Sequence, residues 1–186
     1  QAAGVIFGSN VGTTVTALLV SFKLEKVAPI ILLVGVIAFM FSKNQNIKKI
    51  GEVIIGFGVL FMGLSSMSAA MSGMKESQYI LDLFASLKSP LFAILLGFVI
   101  TGIVQSSSVT VSIMVLLANQ NLLGMDICTY ITLGCNIGSC TTALIASLSG
   151  KKDAKRAAMI HFLFNVIGTA IMYVILWLAM DWVLSA

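Results

Sequence analysis

The chain has 186 residues, 59% of them apolar and 10% charged, and its mean hydropathy is +1.06. A soluble domain carries roughly 25% charged residues, so this composition excludes a water-soluble globule and makes lipid the solvent for most of the surface. The formal net charge of +4 comes from basic residues in short loops between apolar runs, where Lys and Arg mark a cytoplasmic face; no nucleic-acid motif is present, so nucleic acid is not a partner.

In chain order, the apolar segment Gly4–Val20 is interrupted by Gly8-Ser9-Asn10-Val11-Gly12-Thr13-Thr14. The chain opens at Gln1 in the middle of this motif-bearing segment, which predicts that an N-terminal part is missing. After a polar patch, Lys23–Lys26, come the run Val27–Phe41, the basic loop Lys43–Lys49 and the glycine-rich helix Ile50–Ala70. Gly56 and Gly63 share a face of that helix suited to close packing in lipid. The polar stretch Ser72–Ser89 is expected along the interface. Pro90–Ala118, 29 residues long, exceeds the roughly 20 that one crossing needs and is too short for two. The tetrad Gln105-Ser106-Ser107-Ser108 near its middle predicts a helical hairpin that enters the bilayer and returns; a long tilted helix is the alternative. The turn Asn119–Asp126 leads to Ile127–Leu148, expected to break at Gly134–Gly138. The basic loop Lys151–Arg156 and the last helix, Ala157–Leu184, complete the chain. Residues 1–70 thus form the end of one repeat plus connecting helices, 71–89 a linker, and 90–186 a second repeat.

Cys128, Cys135 and Cys140 lack metal-ligand spacing and read as small apolar fillers. Asp126 and Glu52 lie near predicted span ends, where a solvated charge is the default reading. His161 and Asn165, four apart on one helix face, read first as structural polar residues, although ionisable groups within spans are often functional.

The segment Gly8–Phe22 recurs at Gly134–Leu148, 126 positions later (134 minus 8), with seven of 15 positions identical. A shared G-x-N-[VI]-G-[ST] core at this separation indicates an internal repeat. The loops 43–49 and 151–156 hold three and four basic residues, which places both in the cytoplasm. Counting crossings from them, with Pro90–Ala118 as a hairpin, sends the two motif copies across the membrane in opposite directions. The expected fold is therefore an all-α integral membrane protein of the inverted-repeat secondary-transporter class, with a re-entrant hairpin and broken transmembrane helices.

Three polar clusters lie within apolar spans: Gln105–Ser108, Asn10/Thr13/Thr14, and Asn136/Ser139/Thr141/Thr142. Scattered Ser, Thr and Asn are interhelical glue. Four consecutive polar residues, and glycine-flanked Asn duplicated at mid-span, point instead to a site. Hydroxyl and amide oxygens are hard ligands suited to Na⁺. A half-helix beginning near Val109, capped by Ser106–Ser108, would aim its N-terminus at an anion.

The Gln105–Ser108 tetrad after Thr101-Gly102, the Gly134–Ser139 element and the His161–Thr169 segment together resemble the type II sodium/phosphate cotransporter family. The resemblance covers nearly the whole chain. It implies two inverted repeats, each with a Gln-Ser-Ser-Ser hairpin, that bind inorganic phosphate between them with Na⁺ alongside. Carried onto this sequence, it places phosphate on Ser106, Ser107, Ser108, Asn10 and Thr13. It places Na⁺ on Gln105, Asn136, Ser139, Thr141, Thr142 and Thr14. One hairpin is absent, so the site requires a missing N-terminal repeat or a second copy of the chain. The second motif copy also departs from the first, carrying Cys135 and Cys140 at the positions of Ser9 and Thr14. The setting implied is the plasma or inner cell membrane.

Charge balance bears on the coupling ion. Between Lys88 and Lys151 the only charged residue is Asp126, and Gln1–Phe22 has none. An anion cannot enter such a region uncompensated, so co-bound cations must balance it, and the clusters offer neutral oxygens rather than Asp, Glu or His. Alternative readings are a Na⁺-coupled carrier of sulfate or a dicarboxylate, an intramembrane serine hydrolase using Ser106–Ser108 with His161, which lacks G-x-S-x-G, and a passive membrane scaffold.

Overall fold

A computed structural model describes residues 2–21 and 24–185, and all regular structure among them is helical. Nine α-helices are described: α1 (Ala2–Ser21), α2 (Ala28–Phe41), α3 (Gln45–Ser72), α4 (Gln78–Ala85), α5 (Pro90–Val104), α6 (Ser107–Asn119), α7 (Met125–Gly138), α8 (Cys140–Leu148) and α9 (Lys152–Ser185). Among the described residues, four stretches are long and apolar enough to cross a membrane: Ala3–Val20, Gln45–Met71, Met125–Leu148 and Lys152–Ala179. Large apolar side chains such as Val5, Leu91, Ile103 and Trp177 point outward. That pattern suits hydrocarbon as solvent, and the chain is an α-helical membrane protein.

The chain divides into two compact units, Leu18–Glu76 and Gln1–Ala17 with Ser77–Ala186. In the first, α2 and α3 pack antiparallel through their glycines. A Cβ on Gly51 would lie 2.8 Å from Phe39 N, one on Gly58 2.7 Å from Leu32 Cα, and one on Gly35 2.7 Å from Ile55 N. Glycine permits this backbone approach, as is common in lipid. Gly56 and Gly63, expected to do so, face open space, because α2 lies along the Gly51/Gly58 row instead. The basic loop is shorter than expected: Asn44 caps α3 by accepting from Asn46 N at 2.9 Å, so Lys48 and Lys49 already belong to the helix. Likewise α9 starts at Lys152 and absorbs most of the second basic loop.

In the second unit α7 is the buried axis, with Ile127, Cys128, Ile131 and Cys135 in the core. α5 runs beside it in the same direction. A Cβ on Gly97 would collide with the Ile131 carbonyl and one on Gly134 with that of Ile94, while Gly138 lies against Phe98 and Thr101. α6 returns in the opposite sense. It joins α7 through the tight turn at Asn121 (φ 55°), and Cys128 Sγ donates to Met114 O at 3.6 Å. The Pro90–Ala118 run is thus two helices of 15 and 13 residues, about 22 and 20 Å long, folded at the tetrad.

The expected breaks within the repeated motif are not formed as unwound turns. α1 is continuous through Gly8–Thr14. In the second copy the only interruption is Ser139, itself at helical φ −61° and ψ −24°. Glycine permits unwinding but does not force it; Gly134 and Gly138 are used for close approach to α5, which favours keeping them helical.

Candidate functional site

The tetrad forms the tip between α5 and α6. Gln105 caps α5 in the left-handed region (φ 56°, ψ 25°), its N–H donating to Thr101 O at 2.7 Å. Ser106 is extended and caps α6, its Oγ accepting from Val109 N at 3.4 Å. The expected half-helix is present but starts at Ser107, two residues before Val109, and Ser106 alone caps it while Ser107 and Ser108 belong to its first turn. Ser106, Ser107 and Ser108 are half-buried and Gln105 is exposed. Because α6 starts here, its unsatisfied N–H groups and positive dipole end accompany the Ser107 and Ser108 hydroxyls. Thr141 of the second motif copy lies beside this tip, with its Oγ1 3.3 Å from where a Cβ on Gly102 would stand.

A separate pocket of about 210 Å³ lies where α1, α7 and α9 meet. Its polar lining is Asn10, Thr14, Asn136, Asn165 and Thr169, with Phe164 and Met172 among the apolar walls. One Asn from each motif copy thus lines the same cavity. α1 is seated on α9 by the Phe7–Phe164 ring pair, centroids 4.3 Å apart, and by Asn10 Nδ2 donating to Asn165 Oδ1 at 3.1 Å. Thr14 donates its hydroxyl to Val11 O at 2.6 Å, and Thr169 donates to Leu133 O at 3.2 Å. Each hydroxyl has then spent its proton on a backbone carbonyl, leaving only lone pairs for a ligand. Asn136 is exposed. With no Lys or Arg in the lining, the pocket offers mainly acceptor oxygens, which suits a hard cation.

The remaining expected residues lie elsewhere. Thr13 donates to Ser9 O at 3.0 Å and Ser139 to Asn136 O at 2.7 Å; neither lines the pocket. Thr142 is exposed. None of Gln105–Ser108 lines it either, so the residues expected to bind phosphate and Na⁺ fall at two places, the hairpin tip and this pocket. His161 and Asn165 part company: His161 lines a different pocket, of about 270 Å³, with Ile6, Ser147 and several alanines. His161 Nε2 is buried with no hydrogen-bond partner among the described residues, so it is not paired there with a tetrad serine as the hydrolase reading requires. Asn165 and Thr169 line the acceptor pocket, a place that the sequence alone assigns to neither, since its spacing pairs Asn165 with His161 as a structural polar residue. Cys140 is fully buried and donates to His161 O at 3.5 Å, which binds α8 to α9.

The family described as "Na+/Pi-cotransporter" matches residues 1–69 and 70–183. The chain is 33% identical over 169 residues to "Uncharacterized protein YqeW" of Bacillus subtilis, covering 89% of this chain and 54% of that protein. It is 26% identical over 168 residues to "Putative inorganic phosphate export protein YjbB" of Escherichia coli, covering 90% and 31%. Over 87 residues it is 38% identical to human "Sodium-dependent phosphate transport protein 2C", covering 45% and 14%. The chain spans about half the length, or less, of these relatives. No solved structure matches it. The pairing of motifs, the serine-capped hairpin and these matches lead to one conclusion: the chain belongs to the Na⁺/Pi-cotransporter family, a family of transporters and not of enzymes.

Proposed function

We propose that this chain forms part of a cell-membrane transporter that moves inorganic phosphate in symport with Na⁺. The observation that carries the reading is the pocket shared by Asn10 and Asn136, one residue from each motif copy, with oxygen acceptors and no cationic side chain. In this reading the pocket holds Na⁺ through Asn10, Thr14 and Asn136, which moves Asn10 from the phosphate set to the sodium set. Ser106, Ser107 and Ser108, at the start of α6, bind phosphate, with Gln105 and Thr141 beside them. Thr13, Ser139 and Thr142 support the motif helices. The hairpin of α5 and α6 is re-entrant, loops 43–49 and 151–156 are cytoplasmic, and the two motif copies belong to inverted repeats. An upstream repeat or a second copy of the chain supplies the other hairpin. Charge balance supports co-transport, since helix N-termini contribute only about half a charge each.

The test is phosphate flux in proteoliposomes of the full-length protein under opposed Na⁺ gradients. Uptake driven by inward Na⁺ and competed weakly by sulfate or succinate is the expected result. Full-rate uptake on a proton gradient without Na⁺ would overturn it. Net efflux that ignores the Na⁺ gradient would favour export, the activity in the name of the Escherichia coli relative.

A further inference from the structure

We infer that Asn165 is the positioning residue of the acceptor pocket: its side chain turns the Asn10 amide so that the Asn10 oxygen is left for a cation. The inference rests on the sodium reading above. Asn165 is 5% exposed in the middle of α9. Its Nδ2 donates to His161 O at 3.0 Å and to Cys140 Sγ at 3.2 Å. A backbone carbonyl can only accept, so this contact fixes which end of the Asn165 amide is nitrogen. Its Oδ1 must then be the atom facing Asn10, and Asn10 must present Nδ2 to it, as the 3.1 Å contact has it. The chain of donors runs in one direction only, and it ends with Asn10 Oδ1, on a residue that lines the pocket, accepting no hydrogen bond among the described residues. Asn165 has both amide protons in use, so it orients its neighbour rather than serving as a donor to a ligand.

Two further features fit that role. α1 carries no charge and is largely exposed along its length, so the Asn10 contact and the Phe7–Phe164 pair hold the first motif copy on α9. The bridge is also single-copy. The position 126 residues before Asn165 is Phe39, so Asn165 is not a relic of the repeat; it belongs to the half that carries Cys140 where the first copy has Thr14.

The experiment measures thermal unfolding of the purified full-length protein against NaCl, with choline chloride holding ionic strength constant, since a ligand that binds the folded state stabilises it. The variants are Asn10→Ala, Asn165→Ala, Asn165→Thr and the double Asn10→Ala/Asn165→Thr. Thr at 165 can still donate to His161 O, four residues back, as helical threonines do. It fills the site but cannot reach Asn10. The expected result is a half-saturating Na⁺ concentration raised at least tenfold in each single variant. The double variant should lie within twofold of Asn10→Ala, because the two side chains act as one unit. A folded Asn165→Thr with the wild-type Na⁺ midpoint would overturn the inference. So would effects that multiply in the double variant, or a wild type that Na⁺ stabilises no more than choline. Phosphate flux is scored separately: Na⁺ stabilisation without Na⁺-driven flux would sink the symport reading and leave the Asn165 result standing.

Discussion

At the scale of single residues, Gln105 carries two roles that can be separated. A non-glycine residue in the left-handed region costs roughly 1–2 kcal/mol, and Gln105 holds that conformation at the hairpin tip. Such strain clusters at functional sites. Gln105→Gly should therefore keep the turn and match or exceed wild-type stability by about 1 kcal/mol, while phosphate uptake falls sharply because the amide is gone. Melting temperature and initial uptake rate, read on the same preparation, check this; a fully active Gln105→Gly would show that only the turn matters. Asn136→Ala should abolish Na⁺-dependent uptake with expression intact, since an exposed substitution shifts stability by about 0.5 kcal/mol or less. The tetrad was legible because four adjacent polar residues have no reason to sit inside an apolar run. Asn10 and Asn136 were legible because they recur. The role of Asn165 was not: its spacing pairs it with His161 on one helix face, and its side-chain partners Asn10 and Cys140 are 155 and 25 positions away.

The glycines carry the argument at the scale of elements. Apolar segmentation located the helices well, and the excess length of Pro90–Ala118 foretold the fold between α5 and α6. Which glycines would pack was illegible in α3, because Gly51/Gly58 and Gly56/Gly63 are two equally spaced rows and only the position of α2 chooses between them. The motif glycines were misread as points of unwinding, since sequence does not reveal that α5 presses on Gly134 and Gly138. Those contacts make a sharp prediction. Gly134→Ala and Gly97→Ala should each destabilise strongly, by at least the 1–3 kcal/mol typical of overpacking, because the added methyl meets backbone carbonyls rather than a movable side chain. Gly8 and Gly12, the repeat counterparts of Gly134 and Gly138, have open space around them within the described chain. If inverted repeats are built alike, a helix equivalent to α5 covers them in the full-length protein, and Gly8→Leu should then cost about as much as Gly134→Leu. Thermal unfolding of both variants decides it; a neutral Gly8→Leu would count against the repeat architecture.

For the whole molecule, the side that each loop faces turns on whether α5 and α6 cross the membrane or return within it. The stretch Met125–Leu148 is one candidate crossing, so Asn121 before it and Lys152 after it belong on opposite faces. Between Lys49 and Asn121 the count depends on α5 and α6. A straight crossing there would put the four basic residues of Lys151–Arg156 outside, against the charge rule, whereas a re-entrant pair returns the chain to the side it left. The geometry favours the second: α5 parallels α7, α6 turns back, and each half is shorter than the roughly 30 Å of hydrocarbon. The Arg156–Asp153 ion pair, at 3.2 Å with both side chains exposed, removes little of that loop's basic character, since surface pairs are weak. Single cysteines at Lys49, Asn121 and Lys152, all exposed positions, provide the test in a background with the three buried native cysteines replaced. An impermeant thiol reagent added to intact cells should label position 121 and spare 49 and 152, and permeabilisation should expose all three. Labelling at 152 with protection at 121 would mean that α5 and α6 together cross the membrane, and the two motif copies would then run in the same direction.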